Sequence, residues 1–187
     1  MTARFFVFVI LGVWAAGPSA AIVIGGGIVN QSGEGTFVIL DPNEITAVGQ
    51  DNFNTDHLYA FNEDQNIALP DHIRVDIGGF LGMIPKGTVV ASHYVFFDSI
   101  RSVQAGFVEF DAPVLGIAAQ QDTMGATDFL ANTDVTYVGT ELRGLEEGDE
   151  VWIDPENPNR IWVSWAGSSP GDYIRVFTKK SEGALMM

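Results

Sequence analysis

The sequence predicts an all-β fold, namely an antiparallel β-sandwich of the jelly-roll or immunoglobulin-like type. Two observations carry this prediction. Turn-forming residues recur about every ten positions in a chain with 21 glycines among 187 residues, which favours short strands over helices. Only the segment 127–131 has the pattern of a helical turn. About ten short strands with at most one short helix are typical of a sandwich built as one domain.

The candidate strands are apolar or alternating runs bounded by Gly, Pro, Asn or Asp. In chain order they cover 36–40, 57–61, 66–69, 73–77, 88–97, 101–110, 114–117, 135–138, 150–153, 160–165 and 172–178. The runs 57–61 and 66–69 flank a polar turn, which predicts a hairpin. The run 88–97 is apolar at both alternating sets of positions, which predicts a central strand buried on both faces.

The N-terminal residues are typical of a secretory signal peptide. Arg4 supplies a positive charge, residues 5–16 are an unbroken apolar run, and small residues at 19–21 fit a cleavage site after Ala20 or Ala21. We therefore predict a signal peptide at 1–21, a single sandwich domain at 22–180 and a disordered tail at 181–187. A second interpretation is an uncleaved membrane segment, kinked at Pro18 and extending to residue 29.

Composition narrows the possible partners and the compartment. The chain has 24 acidic and nine basic residues and a formal net charge of −15. Such a charge repels nucleic acid and anionic lipid, so nucleic-acid binding is excluded and membrane contact is expected only through an uncleaved N-terminal segment. There is no cysteine, so the core must hold the domain together without disulfides.

A succession of short motifs supports export independently. The motifs lie at 90–98, 106–111, 114–117, 126–130, 135–137, 143–146 and 171–176. Together they resemble a group of exported bacterial proteins that often carry a C-terminal sorting signal of the PEP-CTERM or VPLPA-CTERM type. The resemblance implies an extracellular, sandwich-like domain without assigned catalytic residues. Because residues 181–187 lack the sorting motif, we expect a secreted or periplasmic protein rather than an anchored one.

One loop has the composition of a calcium site. Asp51, Asn52, Asn54 and Asp56 place four oxygen-bearing side chains within six residues, and calcium takes six to eight oxygen ligands. The second interpretation is a solvated turn, because Asp and Asn also favour turns through local hydrogen bonds. Calcium is the one cofactor that the sequence suggests.

Aromatic residues near the C-terminus suggest a second kind of site. Trp152, Trp162, Trp165 and Tyr173 lie in candidate strands, and exposed rings on a sheet suit glycan binding. Trp162 and Trp165 are three positions apart, so they point to opposite faces of their strand. One of them is therefore expected in the core, while the other is a candidate ligand-binding residue.

His93 is the remaining candidate ligand-binding residue. It lies midway along the predicted central strand and is followed by Tyr94. His57 and His72 are too distant from His93 in the sequence to form a short-spaced pair of metal ligands with it. A structural, hydrogen-bonded role for His93 is therefore favoured over a metal site. The few arginines are expected in structural ion pairs, Arg143 with Glu146 and Arg175 with Asp172 or a neighbour.

Two functions follow from these patterns. The first is a secreted, non-catalytic module that binds an extracellular glycan or surface component, or forms part of a matrix, with calcium as a stabilising ion. The alternative is an extracellular hydrolase or lyase that uses carboxylates, or His93 with Tyr94, in a cleft of the sandwich. The sequence contains no nucleophile motif such as G-x-S-x-G.

Overall fold

The protein folds as a mostly β structure with several sheets, which confirms the predicted fold class. The computed structural model describes residues 20–49, 52–167, 169 and 171–181. Residues 1–19 of the predicted signal peptide and 182–187 of the predicted tail lie outside this range. Ala20 and Ala21 precede the first strand, and Ala21 is buried.

The described residues form strands, one α-helix and two 3₁₀ turns. The strands are β1 (Val23–Gln31), β2 (Phe37–Ile39), β3 (Ala47–Val48), β4 (Leu58–Asn62), β5 (Ile67–Ala68), β6 (Ile73–Arg74), β7 (Ile77–Gly78), β8 (Met83–Ile84), β9 (Val89–Phe97), β10 (Ser102–Phe110), β11 (Val114–Ala118), β12 (Thr136–Tyr137), β13 (Glu150–Ile153), β14 (Arg160–Gly167) and β15 (Asp172–Lys179). The helix α1 is Gln121–Ala126, and the 3₁₀ turns are Asp128–Leu130 and Thr140–Leu142.

Two main sheets pack face to face. The smaller has four antiparallel strands in the order β1-β10-β14-β13, and the larger has seven in the order β2-β4-β9-β15-β11-β7 with β5 also paired to β9. Within the larger sheet β2 and β4 are parallel, whereas the other pairs are antiparallel. Two short two-stranded sheets, β3 with β12 and β6 with β8, lie outside these layers.

The larger sheet is buried on both of its faces. Between the two sheets lies a core that contains Val95, Phe97, Val163 and Trp165. On the opposite face a second core, which includes Tyr94, Phe96 and Phe177, is covered by α1 and the connecting segments. Strand β9 is therefore central and buried on both faces, as its doubly apolar pattern predicts.

The predicted hairpin between 57–61 and 66–69 is wrong. Strands β4 and β5 both pair with β9, Leu58 opposite Phe97 and Ile67 opposite Val90, so they follow one edge in the same direction. The polar segment between them stays beside β9 instead of reversing the chain: the Glu63 N–H donates to the Ser92 carbonyl at 2.9 Å, and the Ser92 N–H donates to the Asp64 carbonyl at 2.8 Å. Glu63 is also buried and paired with Arg175, an interaction that the polar composition of the segment conceals.

The helical segment and the first strand refine two further predictions. A helical turn was expected at 127–131, and the structure has α1 just before it and the 3₁₀ turn Asp128–Leu130 within it. The apolar residues after Ala21 form β1, which pairs antiparallel with β10. They are therefore part of the smaller sheet here, and within the described residues no helix is long and apolar enough to cross a membrane.

Candidate functional site

A row of aromatic side chains crosses the outer face of the smaller sheet. The strand register places Gly27 opposite Phe107, Phe107 opposite Trp162, and Trp162 opposite Trp152. Alternate residues of β10 and β14, such as Val108 and Ile161, are buried, so the residues of the row point away from the core. Phe107, Trp162 and Trp152 are called the aromatic row below.

The rings of the aromatic row are close neighbours and remain accessible. The centroids of Phe107 and Trp162 are 5.3 Å apart, and those of Trp162 and Trp152 are 6.3 Å apart with ring planes within 14° of parallel. Trp152 is 40% exposed, while Phe107 and Trp162 are half-buried. A Cβ atom at Gly27 would lie 3.0 Å from the Phe107 ring. Glycine at this position therefore lets the ring lie close over β1.

Charged side chains along one flank fix the aromatic row in place. The Arg160 guanidinium lies 4.9 Å from the Phe107 ring centroid and 5.8 Å from that of Trp162, and it pairs with Glu109 at 2.5 Å. The Trp162 indole N–H donates to Asp154 Oδ2 at 3.0 Å. This hydrogen bond lowers the pKa of Asp154. Ion pair, cation–π contact and indole hydrogen bond together hold the rings in one arrangement.

The other flank carries small and polar residues. Two positions from the aromatic row along β10, β14 and β13, Ala105 lies opposite Ser164 and Ser164 opposite Glu150. Asn30 of β1 lies opposite Ala105, three positions from Gly27 because the register shifts there. Here the surface has a depression of about 200 Å³, whose lining includes Asn30, Ala105, Ser164 and Asp149. The aromatic row thus lies between a charged flank and a polar depression on one continuous face.

The two predicted tryptophan orientations are confirmed. Trp165 is 2% exposed and belongs to the core between the sheets, whereas Trp162 is in the aromatic row on the outer face. Trp165 is therefore out of reach of a ligand on the outer face, and Tyr173 is buried in the second core. Of the aromatic residues proposed from the sequence, the structure brings together Trp152 and Trp162.

His93 is enclosed between the two sheets. Its Nδ1 lies 2.9 Å from Asn62 Oδ1 and its Nε2 lies 3.0 Å from Thr178 Oγ1. Because Asn62 Oδ1 also accepts the Val23 N–H, it acts as an acceptor, and we assign the His93 proton to Nδ1. Burial lowers the pKa of His93 to about 3. The side chain is fully buried, so this geometry favours a structural role over contact with a ligand.

Tyr94 lies on the opposite face of the same strand, beside a buried ion pair. Arg175 Nε and Nη2 donate to the Glu63 carboxylate at 2.7 and 3.0 Å. The Arg175 guanidinium lies 5.7 Å from the Tyr94 ring centroid. Burial raises the pKa of Tyr94. His93 and Tyr94, which the hydrolase hypothesis would use together, therefore lie on opposite faces of the sheet, and both side chains are buried.

The expected partners of two arginines are wrong. Arg175 pairs with Glu63 rather than with Asp172, because alternation along β15 places residues 172 and 175 on opposite faces. Arg143 pairs with Asp128 at 2.5 Å rather than with Glu146. Asp128 also accepts a hydrogen bond from Arg175 at 3.1 Å. The two arginines thus share one carboxylate, which ties the 3₁₀ turn Asp128–Leu130 to the sheet.

The candidate calcium loop is described in part. Asp51 lies outside the described residues, while Asn52 and Asn54 belong to a turn. The Asn52 N–H donates to the Gly49 carbonyl at 3.1 Å, and Asn54 has φ of 49°. This left-handed conformation is common for Asn in turns.

Asp56, at the end of the same loop, contacts hydroxyl groups. Its Oδ1 accepts hydrogen bonds from Ser102 at 2.6 Å and Ser99 at 2.8 Å, and these bonds lower the pKa of Asp56. Within the described residues, no group of three or more His, Asp and Glu side chains lies close enough to hold a metal ion. Calcium binding by this loop stays a prediction.

Asp172 is a buried carboxyl group at the start of β15. Burial, together with interactions with Asp149 and Glu146, raises the pKa of Asp172 to about 9. A glycosidase presents both of its carboxyl groups to the substrate. Because Asp172 is only 2% exposed, a substrate at the surface does not reach this group.

Sequence reasoning missed Phe107 and Arg160 as parts of the site. The alternating pattern of residues 101–110 places Phe107 on the same face of the strand as Glu109. However, the local sequence does not indicate which strands pair with this one. Only the pairing of β10 with both β1 and β14 brings Gly27, Phe107 and Trp162 into one row.

No similar protein was found by any of three comparisons: no family model, no curated protein and no solved structure matches this chain.

Proposed function

We propose that this protein is a secreted, non-catalytic module that binds an extracellular glycan on the outer face of its smaller sheet. The observation that supports this function is the aromatic row, in which Phe107, Trp162 and Trp152 lie side by side across three strands. Export is inferred from residues 1–21 of the sequence, and binding is inferred from the face that the fold builds.

The chemistry of a pyranose ring matches such a row. A sugar ring has apolar C–H faces and a polar rim of hydroxyl groups, so it can stack on an aromatic ring while its edge forms hydrogen bonds. The rim would meet acceptors and donors at Glu109 and Arg160 on one flank, and at Asn30 and Ser164 on the other. Apolar contact with polar groups on both sides is typical of a site that fixes a ligand's orientation.

The charges around the row favour neutral glycans over acidic ones. The Arg160 guanidinium lies over the rings of the row, and it is paired with Glu109 at 2.5 Å and lies 3.5 Å from Asp154. Asp149 lines the depression on the other flank, next to Glu150. An anionic sugar would approach carboxylates on both flanks of the row, while the Arg160 guanidinium is already paired with two of them, and this costs electrostatic free energy.

Affinity electrophoresis tests this function. Wild-type protein would be run through native gels that contain hydroxyethyl cellulose, xylan, laminarin or galactomannan, and through a gel with the acidic polysaccharide alginate. We expect retardation by at least one neutral polysaccharide and none by alginate. Trp162→Ala and Trp152→Ala should each weaken binding by at least about 2 kcal/mol, or about 30-fold in Kd, as for other buried aromatic contacts.

Phe129→Ala is the matched control. Phe129 is also partly exposed, at 47%, but it lies in the 3₁₀ turn Asp128–Leu130, away from the smaller sheet. This variant should bind like the wild type, and circular dichroism should show that all three variants are folded. If none of the neutral polysaccharides retards the wild type, or if Trp162→Ala binds as tightly as the wild type, the aromatic row is not a glycan site.

A further inference from the structure

A tight turn presents apolar side chains to solvent at one end of the sandwich. The Phe80 N–H donates to the Met83 carbonyl at 2.8 Å, and the Met83 N–H donates back to Phe80 at 3.2 Å. Leu81 and Gly82, between them, have φ of 54° and 74°. Positive φ at both central residues defines a type I′ turn. Phe80–Met83 is called the apolar turn below.

Leucine is an unusual residue at the first central position of such a turn. Asn, Asp and Gly are favoured there, because a larger side chain strains the left-handed conformation. Leu81 is nevertheless 83% exposed, and Phe80 is 74% exposed. Two large apolar side chains are therefore held outside the core, at a position where a polar residue would suit both the backbone and the solvent.

An apolar groove continues from the turn onto the sheet. It has a volume of about 380 Å³, and its lining includes Met83, Pro85, Val114 and Leu115. The groove and the two exposed side chains form one apolar area at the edge of the larger sheet, since β7 pairs with β11 immediately before the turn. An exposed apolar area of this kind marks an interaction surface.

Basic residues surround this apolar area. Among the described residues Arg143, Arg160 and Arg175 are in ion pairs, whereas Arg74, Lys86, Arg101, Lys179 and Lys180 are in none. Three of these five unpaired cations, Arg74, Lys86 and Lys179, lie on segments next to the apolar turn or its groove.

The strand pairings place these cations. Arg74 pairs with Met83 of the turn, and Lys86 follows Pro85, which lines the groove. The Lys179 N–H donates to the Pro113 carbonyl next to Val114. The neighbouring acidic groups include Asp71 and Asp76, as well as Asp111 two residues before Pro113 and Glu156 two residues before Pro158, whose carbonyl accepts the Val114 N–H. The Asp111 carboxylate accepts a hydrogen bond from the Ile22 N–H. The Asp76 carboxylate accepts hydrogen bonds from two backbone N–H groups and from Thr123.

We propose that the apolar turn docks this protein onto an anionic lipid bilayer. Phe80 and Leu81 would insert among the lipid chains near the headgroups, while Arg74, Lys86 and Lys179 contact the anionic headgroups. The net charge of −15 does not prevent this contact, because charges beyond a Debye length of about 8–10 Å are screened at physiological salt. A protruding turn with surrounding cations favours a fluid surface over a protein partner, which would need a matching cavity.

Vesicle flotation tests the proposal with the full domain. Wild-type protein would be mixed with vesicles of phosphatidylcholine alone, and with vesicles of equal parts phosphatidylcholine and phosphatidylglycerol. We expect binding to the mixed vesicles that is weakened by salt. Leu81→Asn should reduce binding about 10–100-fold because it removes one inserted apolar side chain. Lys86→Gln should reduce binding to the mixed vesicles about fivefold.

Leu81→Asn also distinguishes lost binding from lost folding. Asparagine suits the left-handed conformation of a type I′ turn, so this variant should unfold at a higher temperature than the wild type while it binds vesicles less well. Ile100→Asn is the matched control: Ile100 is 68% exposed in the turn after β9, away from the apolar turn, and this variant should bind like the wild type. The proposal is overturned if the wild type floats with neither vesicle, or if Leu81→Asn binds the mixed vesicles as the wild type does.

Discussion

The buried carboxyl of Asp172 should make the protein less stable as the pH rises, and Asp172→Asn should remove this effect. Asp172 is 2% exposed at the start of β15 and faces Asp149. Its burial, together with the charges of Asp149 and Glu146, raises its pKa from 3.8 to about 9. The carboxyl group is therefore protonated in the folded protein at neutral pH but ionised in the unfolded chain.

The pKa difference gives the sign and the size of the effect. A raised folded-state pKa favours folding at low pH, and this contribution is lost as the pH rises from 3.8 to about 9. Each pH unit within that window costs about 1.4 kcal/mol. At pH 7 the uptake of the proton on folding therefore costs about 4 kcal/mol, which is the largest gain in stability expected from Asp172→Asn. Asparagine has the same shape and can still donate a hydrogen bond, but it has no charge at any pH.

Urea unfolding followed by tryptophan fluorescence, in steps from pH 5 to pH 9, measures this difference. The free energy of unfolding of Asp172→Asn minus that of the wild type should increase by about 1.4 kcal/mol per pH unit between pH 5 and pH 8. Asp134→Asn, a change at an exposed aspartate, is the control and should give a small difference that does not vary with pH. If the difference for Asp172→Asn is constant between pH 5 and pH 8, the Asp172 carboxyl is not protonated in the folded state.

Two further predictions concern buried charges of the larger sheet. Glu63→Leu or Arg175→Met should each lower the free energy of unfolding by about 3–5 kcal/mol, because each leaves a buried charge without its partner. The double variant Glu63→Leu/Arg175→Met should recover most of that loss in urea unfolding, and strictly additive losses would show that the pair is not coupled. His93 has a folded-state pKa of about 3, below its usual 6.5, so stability from this group is present above pH 6.5 and is lost as the pH falls towards 3. Between pH 6.5 and pH 3 this group should lower the free energy of unfolding of the wild type by up to about 1.4 kcal/mol per pH unit, and His93→Gln should lack this contribution. If the free energy of unfolding falls equally steeply with pH in both proteins, the imidazole is not buried in its neutral form.

Particular residues show how far the sequence could predict the candidate site. The spacing of Trp162 and Trp165 is enough to place them on opposite faces of one strand, and the structure confirms that Trp165 is in the core. The spacing does not say which of the two points inward, because that depends on the side of β14 on which the larger sheet packs. Similarly, Phe107 could be assigned to a face but not to a neighbour.

The polar segment after β4 shows why a local pattern can mislead. Its composition is that of a turn, and a hairpin was therefore predicted there. Glu63 is instead buried and forms an ion pair with Arg175, a residue more than 100 positions later in the sequence. The composition of a polar segment predicts that it is exposed to water. Whether one of its charged residues is buried instead depends on a partner of opposite charge, which can lie far away in the sequence.

The sequence by itself determined the all-β fold class, the doubly buried strand β9 and the opposite orientation of the two tryptophans, because strand periodicity and turn chemistry act between near neighbours. Only the tertiary structure decided the order of the strands and their register. The aromatic row, the Asp149–Asp172 pair and the cations around the apolar turn all join residues from separate segments. Their positions depend on which strands pair, and long-range pairing is set by the packing of the whole core rather than by any local signal.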